Sequence, residues 1–214
     1  MTRMIFVRHG ESMGNINDVF YGHTNGDLTE LGRRQAEVAA KYLKDVHIDI
    51  AYASDLKRAF ETGEIIAREH SLEVIPNKGL REIYAGEWEN KGFSELSKLY
   101  PEEYGVWMRD LWNSRPTGGE SIKELSYRIR DVVWDIAKEN DGKTVLVAFH
   151  STPIRTLCCE WNDLPYEEIQ NVAWVKNASV SIVDYDIEKH TTTPKMIGYA
   201  DFLGDLAKEV SSKV

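Results

Sequence analysis

The chain has 214 residues and a formal net charge of −9, with 42% hydrophobic and 29% charged residues. These values are ordinary for a globular domain, and the length allows a sizeable core without disulfides or metals. The acidic balance argues against a general nucleic-acid surface, because binding along a phosphate backbone needs a basic face. An anionic substrate would have to be attracted by a local cationic pocket.

Nothing in the sequence indicates a second domain, a membrane span or a zinc site. No block of glycine, serine, proline or like charge interrupts the chain, so we expect one domain over residues 1–214. The two cysteines, Cys158 and Cys159, are adjacent in a predicted helix, which predicts reduced, semi-buried thiols rather than a disulfide. The apolar run at 4–7 is too short for a signal peptide, and we expect a cytoplasmic protein.

The first predicted element is a buried strand at 4–7, an apolar run that ends with Arg8 and His9. Ligands of open α/β sheets bind where strands end, so His9 lies where chemistry is usually done. A histidine in an ordinary strand-to-loop turn is the alternative explanation of this position taken alone. A glycine-rich loop over 10–27 follows.

Helices and short strands alternate after this loop. In chain order we predict a helix with Thr29 as N-cap, a strand at 50–53, a helix capped by Ser54 or Asp55 and ending near His70, and a strand at 73–76. Arg58 falls in the first turn of the second helix, where the dipole disfavours a cation by ~0.3–1 kcal/mol, which indicates another task for it. Glu82 follows the strand at 73–76, where a solvated surface glutamate is the alternative.

Three further elements are predicted before the tail. The aromatic segment 93–112, with Pro101 at a favourable N1 position, predicts a small helical insertion beside the site. A serine-x-x-glutamate capping box at 121–124 precedes a structural helix. The continuous apolar run at 144–149 predicts a strand of a parallel sheet that is covered on both faces, and this strand ends at His150.

The sequence immediately after His150 predicts the start of a helix that reaches about Trp161. The N-cap and N1 positions of this helix fall within Ser151-Thr152-Pro153. Its free backbone N–H groups would face whatever His150 faces, as in a phosphate site. The predicted tail has strands around 172–175, 180–185 and 195–199, then a short helix from Asp201, and no catalytic residue. The elements together predict a three-layer αβα fold, with a mostly parallel central sheet, helices on both faces and the small helical insertion.

Two histidines at strand ends, two arginines and one carboxylate indicate nucleophilic phosphoryl transfer. Neutral imidazole is a competent nucleophile at pH 7, since its unperturbed pKa is about 6.5, and this makes His9 the candidate nucleophile. Arg8 and Arg58 supply donors that match phosphate oxygens, and a protonated His150 would add another. Glu82 can protonate the leaving alkoxide if burial or phosphate charge raises its pKa. This chemistry needs no metal ion and no cofactor.

The motifs resemble, in order and across most of the chain, those of the histidine phosphatase superfamily, also called the phosphoglycerate mutase-like family. They are Arg8-His9-Gly10-Glu11-Ser12 with Asn15, Leu28-Thr29-Glu30-Leu31-Gly32, Ser54-Asp55-Leu56-Lys57-Arg58-Ala59, Leu80-Arg81-Glu82, Gly86-Glu87-Trp88-Glu89, Gly119-Glu120-Ser121 and Val147-Ala148-Phe149-His150. The resemblance implies that His9 becomes phosphorylated, that His150 contacts the phosphoryl group and that Glu82 is the proton donor. It also places Arg8, Asn15, Gly22 and Arg58 in the phosphate and substrate pocket.

Ser151 and Asn90 stand where this family often has glycine. A serine adds a hydroxyl beside the phosphate site, so Ser151 joins the predicted substrate-binding residues, and asparagine accepts left-handed backbone angles better than most residues. The sequence around Glu82 looks like the phosphatase branch rather than the cofactor-dependent mutases, which carry a Glu-Arg-His-Tyr-Gly type of sequence around the acid. We therefore expect metal-independent hydrolysis of a small phosphomonoester through a phosphohistidine.

Two other functions stay open at this point. One is a cofactor-dependent phosphoglycerate mutase, and the other is a catalytically weak module that binds phosphate or a phosphoprotein. The joint presence of His9, Glu82 and His150 speaks against the binding module, because a binder has no need of the acid. The expected partner is a small phosphorylated molecule, with no nucleic acid and no membrane.

Overall fold

Two apolar runs of the sequence become neighbouring strands at the centre of a six-stranded sheet. In the computed structural model, which describes residues 1–207, the strands are β1 (Thr2–Arg8), β2 (Ile50–Ala53), β3 (Val74–Pro76), β4 (Thr144–Phe149), β5 (Val180–Asp186) and β6 (Thr191–Tyr199). Their order is β3-β2-β4-β1-β5-β6. The first four are mutually parallel, whereas β5 and β6 continue the sheet in antiparallel pairs.

Helices cover both faces of this sheet, as the sequence predicts. The α-helices are α1 (Met13–Ile16), α2 (Glu30–Leu43), α3 (Lys57–Arg68), α4 (Phe93–Leu99), α5 (Pro101–Arg109), α6 (Ile122–Glu139) and α7 (Ser151–Trp161). Successive side chains of a strand point to opposite faces. Met4 and Phe6 accordingly pack in the core that α6 and α7 cover, whereas Ile5 and Val7 pack in the core that α2 and α3 cover.

The predicted helical insertion is present as α4, α5 and a single 3₁₀ turn, Leu111–Asn113. Trp107 of α5 packs edge-on against Phe20, with ring centroids 5.2 Å apart, and against Trp88 at 5.9 Å. All three rings are buried. Because Phe20 belongs to the loop after β1, these contacts fasten the insertion beside the carboxyl end of the central strands.

Residues 172–175 do not form the strand that we predicted. The carbonyl oxygen of Val172 accepts from Arg155 Nε at 2.6 Å, and that of Val175 accepts from Arg8 Nη1 at 2.6 Å. A backbone acceptor that a buried guanidinium already satisfies does not need a strand partner. This segment is therefore irregular, and it is tied directly to the end of β1.

The start of α7 also differs from the prediction. The helix begins at Ser151 with His150 as N-cap, and Pro153 is its third residue. The first N–H groups of a helix have no intrahelical acceptor, so a proline is tolerated in this first turn. The earlier start makes His150 itself the junction between β4 and α7.

Two smaller differences concern the segments after β1 and β2. The helix α3 has Leu56 as N-cap, not Ser54 or Asp55, and the Ser54 hydroxyl lies against His150 instead. The loop over 10–27 contains the short helix α1, which the sequence did not predict. Asn90 has a φ of 62°, the left-handed conformation for which asparagine is suited.

The two cysteines are buried in α7 and do not form a disulfide. Burial raises the pKa of Cys158 to about 12 and that of Cys159 to about 11, so both are thiols at neutral pH. None of the helices within residues 1–207 is long and apolar enough to cross a membrane.

Candidate active site

The carboxyl ends of β1, β2 and β4 bring His9, Ser54 and His150 to one edge of the sheet. The parallel register pairs Arg8 with Phe149, the residues just before the two histidines. The His9 backbone N–H donates to the Phe149 carbonyl at 2.9 Å, and the two imidazole centroids are 5.3 Å apart. Sheet register thus joins two motifs that are far apart in the chain.

One hydrogen bond assigns the tautomer of His9. Its Nδ1 lies 2.7 Å from the carbonyl oxygen of Gly10, which can only accept, so Nδ1 carries the proton and Nε2 keeps its lone pair. The ring is 5% exposed. Burial, followed by the charges of Arg58 and Arg8, lowers its pKa well below 6.5. His9 is therefore a neutral imidazole with an unprotonated Nε2 at neutral pH.

The second histidine, His150, is fully buried at 0% exposure. Its Nε2 lies 2.8 Å from the Ser54 hydroxyl, and within residues 1–207 its Nδ1 has no hydrogen-bond partner. Burial is the largest cause of a pKa well below 6.5, with the charge of Arg58 next. The ring is neutral in this environment, and a phosphate dianion beside it would raise its pKa.

Two arginines of the predicted set, Arg8 and Arg58, are buried at 1% exposure each. Burial lowers the pKa of each to about 10, so both remain charged at neutral pH. Backbone carbonyls hold Arg58: Nη1 donates to Thr24 O at 2.9 Å and Nη2 to Gly22 O at 2.9 Å. Within residues 1–207, Arg8 Nε has no hydrogen-bond partner. A buried donor without a partner is rare, and one that belongs to a charged guanidinium at the edge of a cavity is suited to contact an anion.

Glu82 is buried in the same site, not solvated on the surface. Its Oε1 accepts from the Ile83 N–H at 2.8 Å and its Oε2 from the Thr152 N–H at 3.2 Å. Burial raises its pKa, and these N–H groups and Arg58 oppose the rise only in part. The first turn of α7, which contains Thr152, thus orients the carboxyl group.

A cavity of about 400 Å³ opens beside Arg8, His9, Arg58 and Glu82, whereas the fully buried His150 does not line it. Asn15 and Ser151, two of the residues predicted to bind substrate, line this cavity. Gly22 does not line it: a Cβ atom there would collide with the Ile83 carbonyl, and its own carbonyl accepts from Arg58. The other lining residues include Arg8, His9, Glu11, Ser12, Asp18, Phe20, Tyr21, Arg58, Glu82, Phe93, Trp107, Thr152 and Asn177.

The tail contributes a residue that the sequence did not reveal. Asn177 lines the cavity, and its Nδ2 donates to the His9 carbonyl at 3.0 Å. No motif surrounds Asn177, and the contact joins positions 168 residues apart, so local sequence carries no signal for it. Within residues 1–207, no group of three His, Cys, Asp or Glu side chains is placed to hold a metal ion.

The fold and the site define an α/β protein in which a histidine, two buried arginines and a buried carboxyl group line one cavity at the carboxyl ends of the central strands. A family model described as histidine phosphatase superfamily (branch 1) matches residues 4–194. The chain belongs to this superfamily, which confirms the resemblance that its motifs indicate.

Individual relatives agree with this assignment. Phosphoserine phosphatase 1 of Hydrogenobacter thermophilus is 29% identical over 208 residues, which cover 89% of this chain and 99% of that protein. Phosphoglycerate mutase-like protein 4 of Arabidopsis thaliana is 36% identical over 157 residues, 72% of this chain and 68% of that one. The solved structure of Bacillus stearothermophilus YhfR has a TM-score of 0.88 at 27% identity and covers 100% of both chains. The protein is accordingly a phosphatase of the histidine phosphatase type.

Proposed function

We propose that the protein hydrolyses a small phosphomonoester through a phosphohistidine on His9, without a metal ion. The observation that carries this proposal is the hydrogen bond between His9 Nδ1 and the Gly10 carbonyl at 2.7 Å. It leaves the lone pair on Nε2, and a pKa held well below 6.5 keeps that lone pair free at neutral pH. A neutral, fixed imidazole is the form that can attack phosphorus.

In the first step, Nε2 of His9 forms a bond to phosphorus while the bond from phosphorus to the alcohol oxygen breaks. Arg8 and Arg58 donate to the non-bridging oxygens, where charge must be stabilised in the transition state. His150 gains a proton as the phosphate raises its pKa, and it then donates as well. The proton on His9 Nδ1 stays hydrogen-bonded to Gly10, which stabilises the positive charge on the phosphorylated ring.

Glu82 acts on the leaving group in this scheme. Burial raises its pKa, which favours the protonated carboxyl that can give its proton to the departing alkoxide. In the second step a water molecule attacks the phosphohistidine, and the Glu82 carboxylate takes a proton from that water. The bond from phosphorus to Nε2 breaks, inorganic phosphate leaves, and His9 is neutral again.

Two observations support a small substrate. The cavity of about 400 Å³ is near the lower end for small-molecule sites, which span roughly 300–1,000 Å³. The relative from Hydrogenobacter thermophilus is named for phosphoserine, which makes phosphoserine a first substrate to test beside p-nitrophenyl phosphate.

The test is to trap the intermediate. Rapid mixing with radiolabelled p-nitrophenyl phosphate in buffer with EDTA, followed by an alkaline quench, should leave a base-stable, acid-labile label on His9. His9→Ala should lose this label and about 10³-fold or more of the activity, because the two-step route is gone. Replacing the exposed His47 by asparagine is the control and should change neither. Label on a serine or aspartate, or labelling that needs an added divalent ion, would contradict the proposal.

A second assay separates hydrolysis from transfer back to the product. With 3-phosphoglycerate and a trace of 2,3-bisphosphoglycerate, we expect release of inorganic phosphate and little 2-phosphoglycerate. A mutase must protect the phosphohistidine from water until it rephosphorylates the bound product. Rapid interconversion of the two phosphoglycerates would therefore overturn the assignment as a hydrolase.

A further inference from the structure

One carboxylate outside the reacting groups, Glu89, accepts from five donors, four of them backbone N–H groups. The donors are the N–H groups of His23 at 2.7 Å, Thr24 at 2.9 Å, Ala85 at 3.1 Å and Gly22 at 3.2 Å, together with the Thr24 hydroxyl. Three of these N–H groups come from successive residues of the loop 21–24. Successive N–H groups that converge on one point form a site for an anion, which here is a side chain of the protein itself.

The opposite side of the same loop holds Arg58. Its guanidinium donates to the carbonyl oxygens of Tyr21 at 3.3 Å, Gly22 at 2.9 Å and Thr24 at 2.9 Å. The loop 21–24 therefore lies between a carboxylate that collects its N–H groups and a guanidinium that binds its carbonyls.

The planarity of the peptide group couples these two sets of contacts. The Gly22 carbonyl, which Arg58 contacts, and the His23 N–H, which Glu89 contacts, belong to one peptide group. In a trans peptide the C=O and the N–H point in opposite directions, so fixing one fixes the other. The peptide group before it repeats the arrangement, with its C=O on Arg58 and its N–H on Glu89.

We propose that Glu89 is a positioning residue that orients Arg58 through the peptide groups of the loop 21–24. Arg58 needs such support, because its guanidinium donates to neutral carbonyl groups and must also be oriented towards the phosphoryl oxygens. Close packing leaves the loop no room to adapt, since a Cβ atom on Gly22 would collide with Ile83 and with Glu89 itself. The inference rests on the proposed role of Arg58 in binding the phosphoryl group.

The same loop also contacts the segment that contains Glu82, the proposed general acid, and the ring of His23 lies 5.2 Å from that of Tyr84. His23 Nε2 lies 2.9 Å from the carbonyl oxygen of Glu82. A change at Glu89 can therefore reach the reaction through Arg58 or through Glu82. The experiment must distinguish these two routes, and a double-mutant cycle with Arg58 does so.

The main variant is Glu89→Gln, which keeps the shape of the side chain but replaces one acceptor oxygen by an NH₂ group that faces other donors. We expect kcat/KM for p-nitrophenyl phosphate to fall about tenfold or more, and inhibition by vanadate and by phosphate to weaken by a similar factor. Glu87→Gln is the matched control two residues away. The Glu87 side chain is exposed and contacts the Tyr100 hydroxyl at 3.0 Å, so this control should behave as wild type.

The decisive measurement repeats Glu89→Gln in an Arg58→Met background. If Glu89 acts through Arg58, the second substitution should add no further loss of kcat/KM and no further weakening of vanadate inhibition. Penalties that multiply would overturn the inference, since Glu89 would then act by another route. If Glu89→Gln unfolds, Glu89→Asp serves in the same cycle, because it keeps the charge and shortens the reach. A wild-type protein that gives no phosphohistidine would refute the proposed function, whereas a trapped adduct with multiplicative penalties refutes only this inference.

Discussion

The carbonyl oxygen of Gly10 decides which nitrogen of His9 keeps its lone pair, and burial then keeps that nitrogen free of a proton. The same burial leaves other groups in an unfavourable state. Arg8 Nε and His150 Nδ1 have no partner within residues 1–207, and a buried polar atom without a partner costs roughly 1–3 kcal/mol. Under the proposed function, a phosphate oxygen that accepted from Arg8 Nε would remove that cost for this atom.

Glu82 provides the sharpest residue-scale prediction. If it only donates a proton to the leaving group, Glu82→Gln should greatly slow hydrolysis of alkyl phosphates, whose alkoxides are poor leaving groups. It should spare p-nitrophenyl phosphate, whose phenolate leaves unaided. General acid catalysis contributes ~10²–10⁴-fold, so a plot of log kcat/KM against leaving-group pKa should become steep in the variant. An equal loss on both kinds of substrate would mean that Glu82 shapes the pocket and does not supply the proton.

Single residues could be predicted from the sequence where a strand end marks them. His9 and His150 each follow an apolar run, and parallel strands place such positions at one edge of the sheet. Asn177 has no such marker, because its contact with His9 depends on how the chain returns to the sheet. The buried setting of Glu82 was likewise hidden, since one of its two donors is the N–H group of Thr152 in α7, which lies 70 residues further on.

At the scale of elements, two glycines from separate motifs bring α2 against the end of β1. A Cβ atom on Gly32 would collide with the backbone of Glu11, and one on Gly10 would collide with the Gly32 carbonyl. The first turn of α2 can therefore lie against the segment that follows His9. Both motifs are visible in the sequence, but their contact is not, because it joins positions more than twenty residues apart.

We expect Gly32→Ala to lower the free energy of unfolding by about 1–3 kcal/mol or more, the usual cost of forcing atoms into a packed site. Gly105→Ala is the matched control, since it also lies within a helix but a Cβ there would meet only the Arg109 side chain, at 3.5 Å. The control should be neutral or stabilising by about 0.5–1 kcal/mol, because alanine favours helix. Urea denaturation monitored by circular dichroism measures both. Equal stabilities would show that α2 does not need this close approach.

Element boundaries show why the fold was easier to predict than its details. Apolar runs and capping boxes are local signals, and Thr29 and Ser121 cap α2 and α6 as predicted. The failure at residues 172–175 has a tertiary cause, because Arg155 and Arg8 use carbonyl groups that a strand would need. The residue types at 172–175 favour a strand, but they carry no information about this competition for carbonyl groups.

For the whole molecule, the buried site makes stability depend on pH. His9 and His150 have pKa values well below 6.5 in the folded protein, and near 6.5 once unfolded. The unfolded chain therefore binds more protons below pH 6.5. The stability that these groups contribute is fully present above pH 6.5 and is lost as the pH falls towards their folded values. Glu82, with a raised pKa, acts in the opposite direction, so a comparison of variants is needed to isolate the histidines.

The prediction is that His150→Asn reduces the loss of unfolding free energy between pH 6.5 and 5.5 by about 1 kcal/mol relative to wild type, because one depressed histidine no longer titrates. Its packing defect should lower stability by the same amount at both pH values. His47→Asn is the control, since that side chain is 83% exposed and its partner is a carboxylate, Asp49, at 2.9 Å, so the substitution should not reduce the loss of unfolding free energy at low pH. Urea denaturation at several pH values, without phosphate in the buffer, provides the measurement. If the pH dependence of His150→Asn equals that of wild type, the pKa of His150 is the same in the folded and unfolded chain, and burial does not hold the ring neutral below pH 6.5.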